Sequence, residues 1–120
     1  MSEKVWAEFF RKLLKHIAEN SRGNAFYLAR VKNEKISLNV KKLVKIIYGN
    51  NELYEEFVKA CRETGITNNP NVLPHFTLRN IMYHMFRRKV EPIYSLMRIC
   101  LQREYITISE LRELVGEAGG

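Results

Sequence analysis

The chain has 120 residues, 46% hydrophobic and 28% charged, the balance of one soluble globular domain and not of a disordered chain. All 13 acidic residues are glutamates, which excludes Asp-based two-metal sites, Ser-His-Asp triads and aspartic-protease dyads. Twenty Lys and Arg leave a net charge of +7, which favours a polyanionic partner, nucleic acid first and an anionic membrane surface second.

Helical periodicity dominates from the start. A first helix is expected over about 3–19, with Ser2 as N-cap. Trp6, Phe9, Phe10, Leu13, Leu14 and Ile17 follow the i, i+3, i+4 rule, and Lys4, Arg11 and Lys15 lie opposite. Glu8 and Lys12 are placed as an i, i+4 pair, and Asn20-Ser21-Arg22-Gly23 ends the helix. Residues 24–40 read in two ways. A short helix over 24–32, with Asn39 capping the next one, is preferred. In the alternative, Ala25–Val31 pairs with the alternating Ile36-Ser37-Leu38-Asn39-Val40 across Lys32-Asn33-Glu34-Lys35. No glycine marks a tight turn there, which weighs against the hairpin.

The stretch 40–48 reads as helix, with Val40, Leu43, Val44 and Ile47 on one side and Lys41, Lys42 and Lys45 on the other; Gly49 is expected as its C′ residue. Asn51 is expected to cap a helix over about 52–64, with Leu53, Phe57, Ala60 and Cys61 inward and Gly65 at its end. Residues 65–74, GITNNPNVLP, form a loop. A helix over about 75–88 follows, burying Leu78, Ile81, Met82 and Met85. Pro92 suits the first turn of a helix over about 92–103 with Ile93, Leu96, Met97 and Cys100 inward. Thr107-Ile108-Ser109-Glu110 is a capping-box pattern opening a last short helix that Gly116 ends. The fold class is therefore all-α: a compact irregular bundle of six or seven short helices, with a two-stranded hairpin at 25–40 as the variant. Residues 1–116 are expected to form a single helical domain and 117–120 a flexible tail.

Few residues invite catalysis. His16, His75 and His84 have no ligand spacing, and no HExxH, CxxC or GxxxxGK[ST] string occurs. Glu55 and Glu56 are adjacent, so on a helix they diverge by about 100° and do not share a proton. Cys61 and Cys100 lie on apolar stripes, where a thiol stays protonated. No enzyme activity, metal or cofactor is expected. No apolar run approaches the ~20 residues of a membrane span. MSEKVWAEFF lacks the layout of a signal peptide, so the expected location is cytoplasmic.

The charge falls in blocks. Residues 1–48 carry 11 basic and 4 acidic side chains, and residues 70–103 carry 6 and 1. In the helix at 75–88, Arg79, Tyr83 and Arg87 are spaced i, i+4, i+8, and Arg88 and Lys89 extend the charge at its end. Arginines grip phosphates, and an exposed tyrosine stacks on an unpaired base. The plain alternative is that Arg87-Arg88-Lys89 only cap the helix and Tyr83 is boundary packing. Lys41, Lys42 and Lys45 offer three point charges on one helix face, readable also as a solvated face. Arg22 and Arg30 flank Tyr27.

In size, charge and layout the chain resembles the small subunits of archaeal type I-A CRISPR Cascade effector complexes. The segment Gly23-Asn24-Ala25-Phe26-Tyr27-Leu28-Ala29-Arg30-Val31, set after a first amphipathic helix, carries the likeness. The resemblance implies several copies that line an effector complex and hold nucleic-acid backbone without chemistry of their own, as a part of antiviral defence. The expected function is thus a non-catalytic nucleic-acid-binding subunit of a ribonucleoprotein complex, with little sequence preference. Single-stranded DNA or RNA is the favoured ligand; other subunits or copies of itself are the expected protein partners, and no membrane is involved. The alternatives are a helix-turn-helix-like DNA-binding regulator built on 75–88 and 92–103, a protein-interaction adaptor, or a replication accessory subunit.

Overall fold

The computed structural model describes residues 2–66 and 74–116. Most of the 65–74 loop and the tail at 117–120 lie outside them. Six helices occur among these residues: α1 (Glu3–Asn20), α2 (Lys41–Tyr48), α3 (Asn51–Glu63), α4 (Pro74–Arg87), α5 (Ile93–Arg103) and α6 (Ile108–Leu114). Four short strands join them: β1 (Ala25–Tyr27), β2 (Ala29–Lys32), β3 (Lys35–Leu38) and β4 (Tyr105–Thr107).

The apolar stripes meet as their periodicity demands. In α1, Trp6, Phe9, Phe10, Leu13, Leu14 and Ile17 are buried, and α1 packs against α3 and α6. Trp6, Phe9 and Phe10 cluster with Phe57 of α3, neighbouring ring centroids lying between 5.4 and 6.2 Å apart. Burying such a side chain contributes about 1.5–3 kcal/mol, so this seam is a principal source of stability. Leu78, Ile81, Met82 and Met85 of α4 face Ile93, Leu96, Met97 and Cys100 of α5 across the other half of the core. No described helix is long and apolar enough to cross a membrane.

Residues 24–32 correct the preferred reading, because no helix forms there. β1 pairs antiparallel with β4, with Tyr27 opposite Tyr105, and only β2 enters a hairpin with β3. A hairpin is present but shorter than the 25–40 variant, since Ala25–Tyr27 takes its partner from Tyr105–Thr107. The turn uses Asn33 and Glu34, both at positive φ (54° and 64°), as a two-residue hairpin loop of type I′ requires. Asparagine tolerates that conformation and glutamate adopts it at a cost of about 1–2 kcal/mol, so the turn forms without the glycine that marks most such turns.

Three end signals differ from expectation. Gly49 closes α2 at φ −89°, not as a left-handed C′ residue; a Cβ there would meet the Lys45 carbonyl oxygen at 3.0 Å. Asn50, not Asn51, caps α3, its side chain accepting from the Leu53 N–H at 3.0 Å. Ser2 stands at the N-cap of α1 without a side-chain capping bond. The Thr107–Glu110 capping box is present as read, with both reciprocal bonds made.

Candidate nucleic-acid interface

A cluster of main-chain bonds around Leu28 gathers distant segments. The Leu28 and Ala29 N–H groups both donate to the Glu104 carbonyl at 3.1 Å. The Leu28 carbonyl accepts from the Asn39 N–H at 2.7 Å, which ties in the approach to α2. The Glu104 carboxylate accepts from the Val31 N–H at 3.0 Å, pinning the hairpin to the α5–β4 junction. From α4, the Arg79 guanidinium donates to the Leu38 carbonyl at 3.4 Å. The hairpin, the approach to α2, the β1–β4 pair and the first half of α4 thus share a single region. Leu28, fully buried, sits at its centre.

The hairpin has two unlike faces, as strand alternation dictates. Ala29 opposes Leu38 and Val31 opposes Ile36 on one; Arg30 opposes Ser37 and Lys32 opposes Lys35 on the other, where all four are exposed. Beside it, α2 buries Leu43, Val44 and Ile47 and leaves Lys41, Lys42 and Lys45 exposed. Among the described residues, none of Arg30, Lys32, Lys35, Lys41, Lys42 and Lys45 has a carboxylate within ion-pair distance. Directly opposed like charges such as Lys32 and Lys35 disfavour the strand pair unless an anion lies between them.

An aromatic pair borders this surface. The rings of Tyr27 and Tyr105 lie 5.4 Å apart, the Lys42 ammonium is 5.8 Å from the Tyr27 centroid, and the Arg103 guanidinium is 4.7 Å from that of Tyr105. Tyr27 is 52% exposed. Arg103 is held by the Tyr105 carbonyl, at 3.1 Å, and by the Glu110 carboxylate. Hydrogen bonds from the Thr107 backbone and hydroxyl, then Arg103, keep the Glu110 carboxyl below the usual glutamate range.

The predicted site residues divide. Lys41, Lys42 and Lys45 are exposed on α2 and Arg30 on the hairpin, and Arg79 reaches the Leu38 carbonyl of β3. Tyr83 is half-buried against the core beside Arg79. Arg87 is exposed and lines an open surface groove with Ile66, Thr77, Asn80, Ile81 and His84. Arg88, at the same end of α4, donates to Glu3 of α1 at 2.7 Å, and His84 Nε2 lies 3.6 Å from that carboxylate. Lys89, at φ 58°, is exposed in the turn after α4, and Arg22 is exposed after α1. The expected stripe of Arg79, Tyr83 and Arg87 with Arg88 and Lys89 therefore does not form one free surface. Lys12 pairs with Glu56 of α3 at 3.0 Å and not with Glu8. Lys32, Lys35 and Tyr105 were missed from the sequence. The alternation Arg30-x-Lys32 and Lys35-x-Ser37 would have found the two lysines once a strand was chosen there.

Both cysteines are buried and free, and burial pushes the Cys61 thiol up to about 11 and the Cys100 thiol up to about 12. Among the described residues, no group of three His, Cys, Asp or Glu side chains is placed to hold a metal ion. Comparison of the chain with protein-family models, curated proteins and solved structures finds no match.

Proposed function

We propose that the protein is a non-catalytic nucleic-acid-binding module that grips the phosphate backbone with little sequence preference. The observation that carries this reading is that the consecutive hairpin and α2 expose six cations, Arg30, Lys32, Lys35, Lys41, Lys42 and Lys45, none of them with a carboxylate partner among the described residues. Lysine ammoniums are point charges that bind phosphate oxygens without reading bases, and each phosphate neutralised releases counterions. Service as a cytoplasmic subunit of a ribonucleoprotein complex, of the CRISPR effector kind, is part of the proposal and rests on size, charge and layout. A helix-turn-helix reading has less support. The cations α5 would offer are engaged: Arg103 by Glu110, and Arg98 over the Tyr94 ring at 6.0 Å.

The test is titration of labelled single-stranded and duplex DNA and RNA between about 50 and 200 mM salt. Replacing Lys32, Lys35, Lys41 and Lys45 by alanine should lower single-strand affinity about 100-fold near 0.1 M salt. It should also flatten the log–log salt slope by about 3, at ~0.7 for each phosphate no longer neutralised. Absence of binding to every strand at low salt would overturn the proposal in favour of a protein-interaction adaptor. A single protected DNA sequence would favour a regulator.

A further inference from the structure

Resting on that reading, we infer that the Tyr27–Tyr105 pair is a stacking platform for an unpaired base, so that the ligand is single-stranded. The backbone register makes the two tyrosines cross-strand partners. Opposite residues on a short antiparallel pair lie close enough for their rings to touch, and here the centroids are 5.4 Å apart. Tyr105 is fixed in place. Its carbonyl and Glu110 hold Arg103, whose guanidinium covers the ring at 4.7 Å. Tyr27 leans on this anchored neighbour and keeps 52% of its surface exposed. A large aromatic exposed to water yet held rigidly loses little conformational entropy when a base covers it.

The surrounding charge indicates what covers it. Lys42 stands 5.8 Å from the Tyr27 ring with no carboxylate partner among the described residues. Arg30 follows Tyr27 three residues on, across the buried Leu28-Ala29 step. A half-exposed aromatic ring with a lysine ammonium over it matches a nucleotide whose unstacked base meets the ring while its phosphate meets the lysine. In a duplex the base faces are already stacked on one another, so the ring has nothing to take up. The expected stacking residue Tyr83 is half-buried in α4, whereas Tyr27 is exposed.

The experiment compares wild type, Tyr27→Ala and Tyr27→Phe on a single strand, on the same strand with abasic sites, and on a duplex, each across a salt series. Tyr27→Ala should weaken single-strand binding about 5- to 100-fold, the range for losing one base–aromatic stack. The salt slope and duplex affinity should not change. Tyr27→Phe should retain the affinity, because the stacking face remains. The abasic strand, with equal charge, should bind wild type and Tyr27→Ala alike. An unchanged single-strand affinity in Tyr27→Ala would overturn the platform and point to a protein contact, while the four-lysine variant would still report on backbone binding. An equal loss on strand, abasic strand and duplex would also overturn it, marking the ring as a support for the cationic surface. If wild type binds nothing at low salt, the backbone-binding reading falls first and the platform with it.

Discussion

Two basic regions of this molecule differ in what surrounds their charges. On the outer side of α1 and at the end of α4, cations meet glutamates from other helices: Lys12 meets Glu56, and Arg88 meets Glu3. On the hairpin and α2, six cations stand without such partners among the described residues. Net charge counts both regions alike, but Lys12 and Arg88 share their charge with a glutamate, whereas the six cations of the hairpin and α2 do not. The lesson is that basicity along a chain is read from composition, while tertiary pairing decides which cations keep a glutamate beside them.

The sharpest way to break this comparison is to unpin the free surface. Glu104→Ala removes the carboxylate that accepts from the Val31 N–H. A loss of about 1–2 kcal/mol in urea unfolding is expected, since hydrogen bonds to charged acceptors lie near that range and this one is partly exposed. Amide exchange at Val31 should speed up, and Glu104→Gln, which keeps an acceptor, should restore most of the protection. Equal exchange in all three proteins would detach the hairpin's order from Glu104.

The paired region should behave differently. Lys12→Ala and Arg88→Ala are expected to cost under about 1 kcal/mol each, because both pairs are solvent-exposed. Neither should change nucleic-acid affinity more than about twofold at moderate salt. A tenfold loss in either would show that glutamate pairing does not silence a cation here. The smallest effect is at the hairpin tip. Glu34→Gly should stabilise the fold by about 0.5–1 kcal/mol, the relief of a left-handed residue less the entropy of glycine. A fall in melting temperature would rule out the positive φ of Glu34.

Much of the helical framework was legible in the residues. The buried stripes of α1, α4 and α5 contain every apolar position chosen for them, and the Thr107–Glu110 capping box is made as its spacing requires. These features are local, since a helix presents residues three and four apart to one side whatever lies beyond it. The stretch 24–32 was misread because Ala25–Tyr27 is completed by Tyr105–Thr107, a partner no local window contains. The α2 lysines were legible as a face for the same local reason. Lys32 and Lys35 were not, because a strand has to be recognised before its outward positions can be counted. Tyr83 was chosen over Tyr27 because helical spacing was visible and cross-strand pairing was not.

The sequence by itself determined the helical class, the inward faces and the excess of positive charge, because periodicity and composition act within one turn of the chain or over all of it. Only the tertiary structure decided which cations stay unpaired and which tyrosine stands beside them. Ion pairs, strand partners and ring contacts form between residues that the chain holds far apart, and only the packed core brings them within reach.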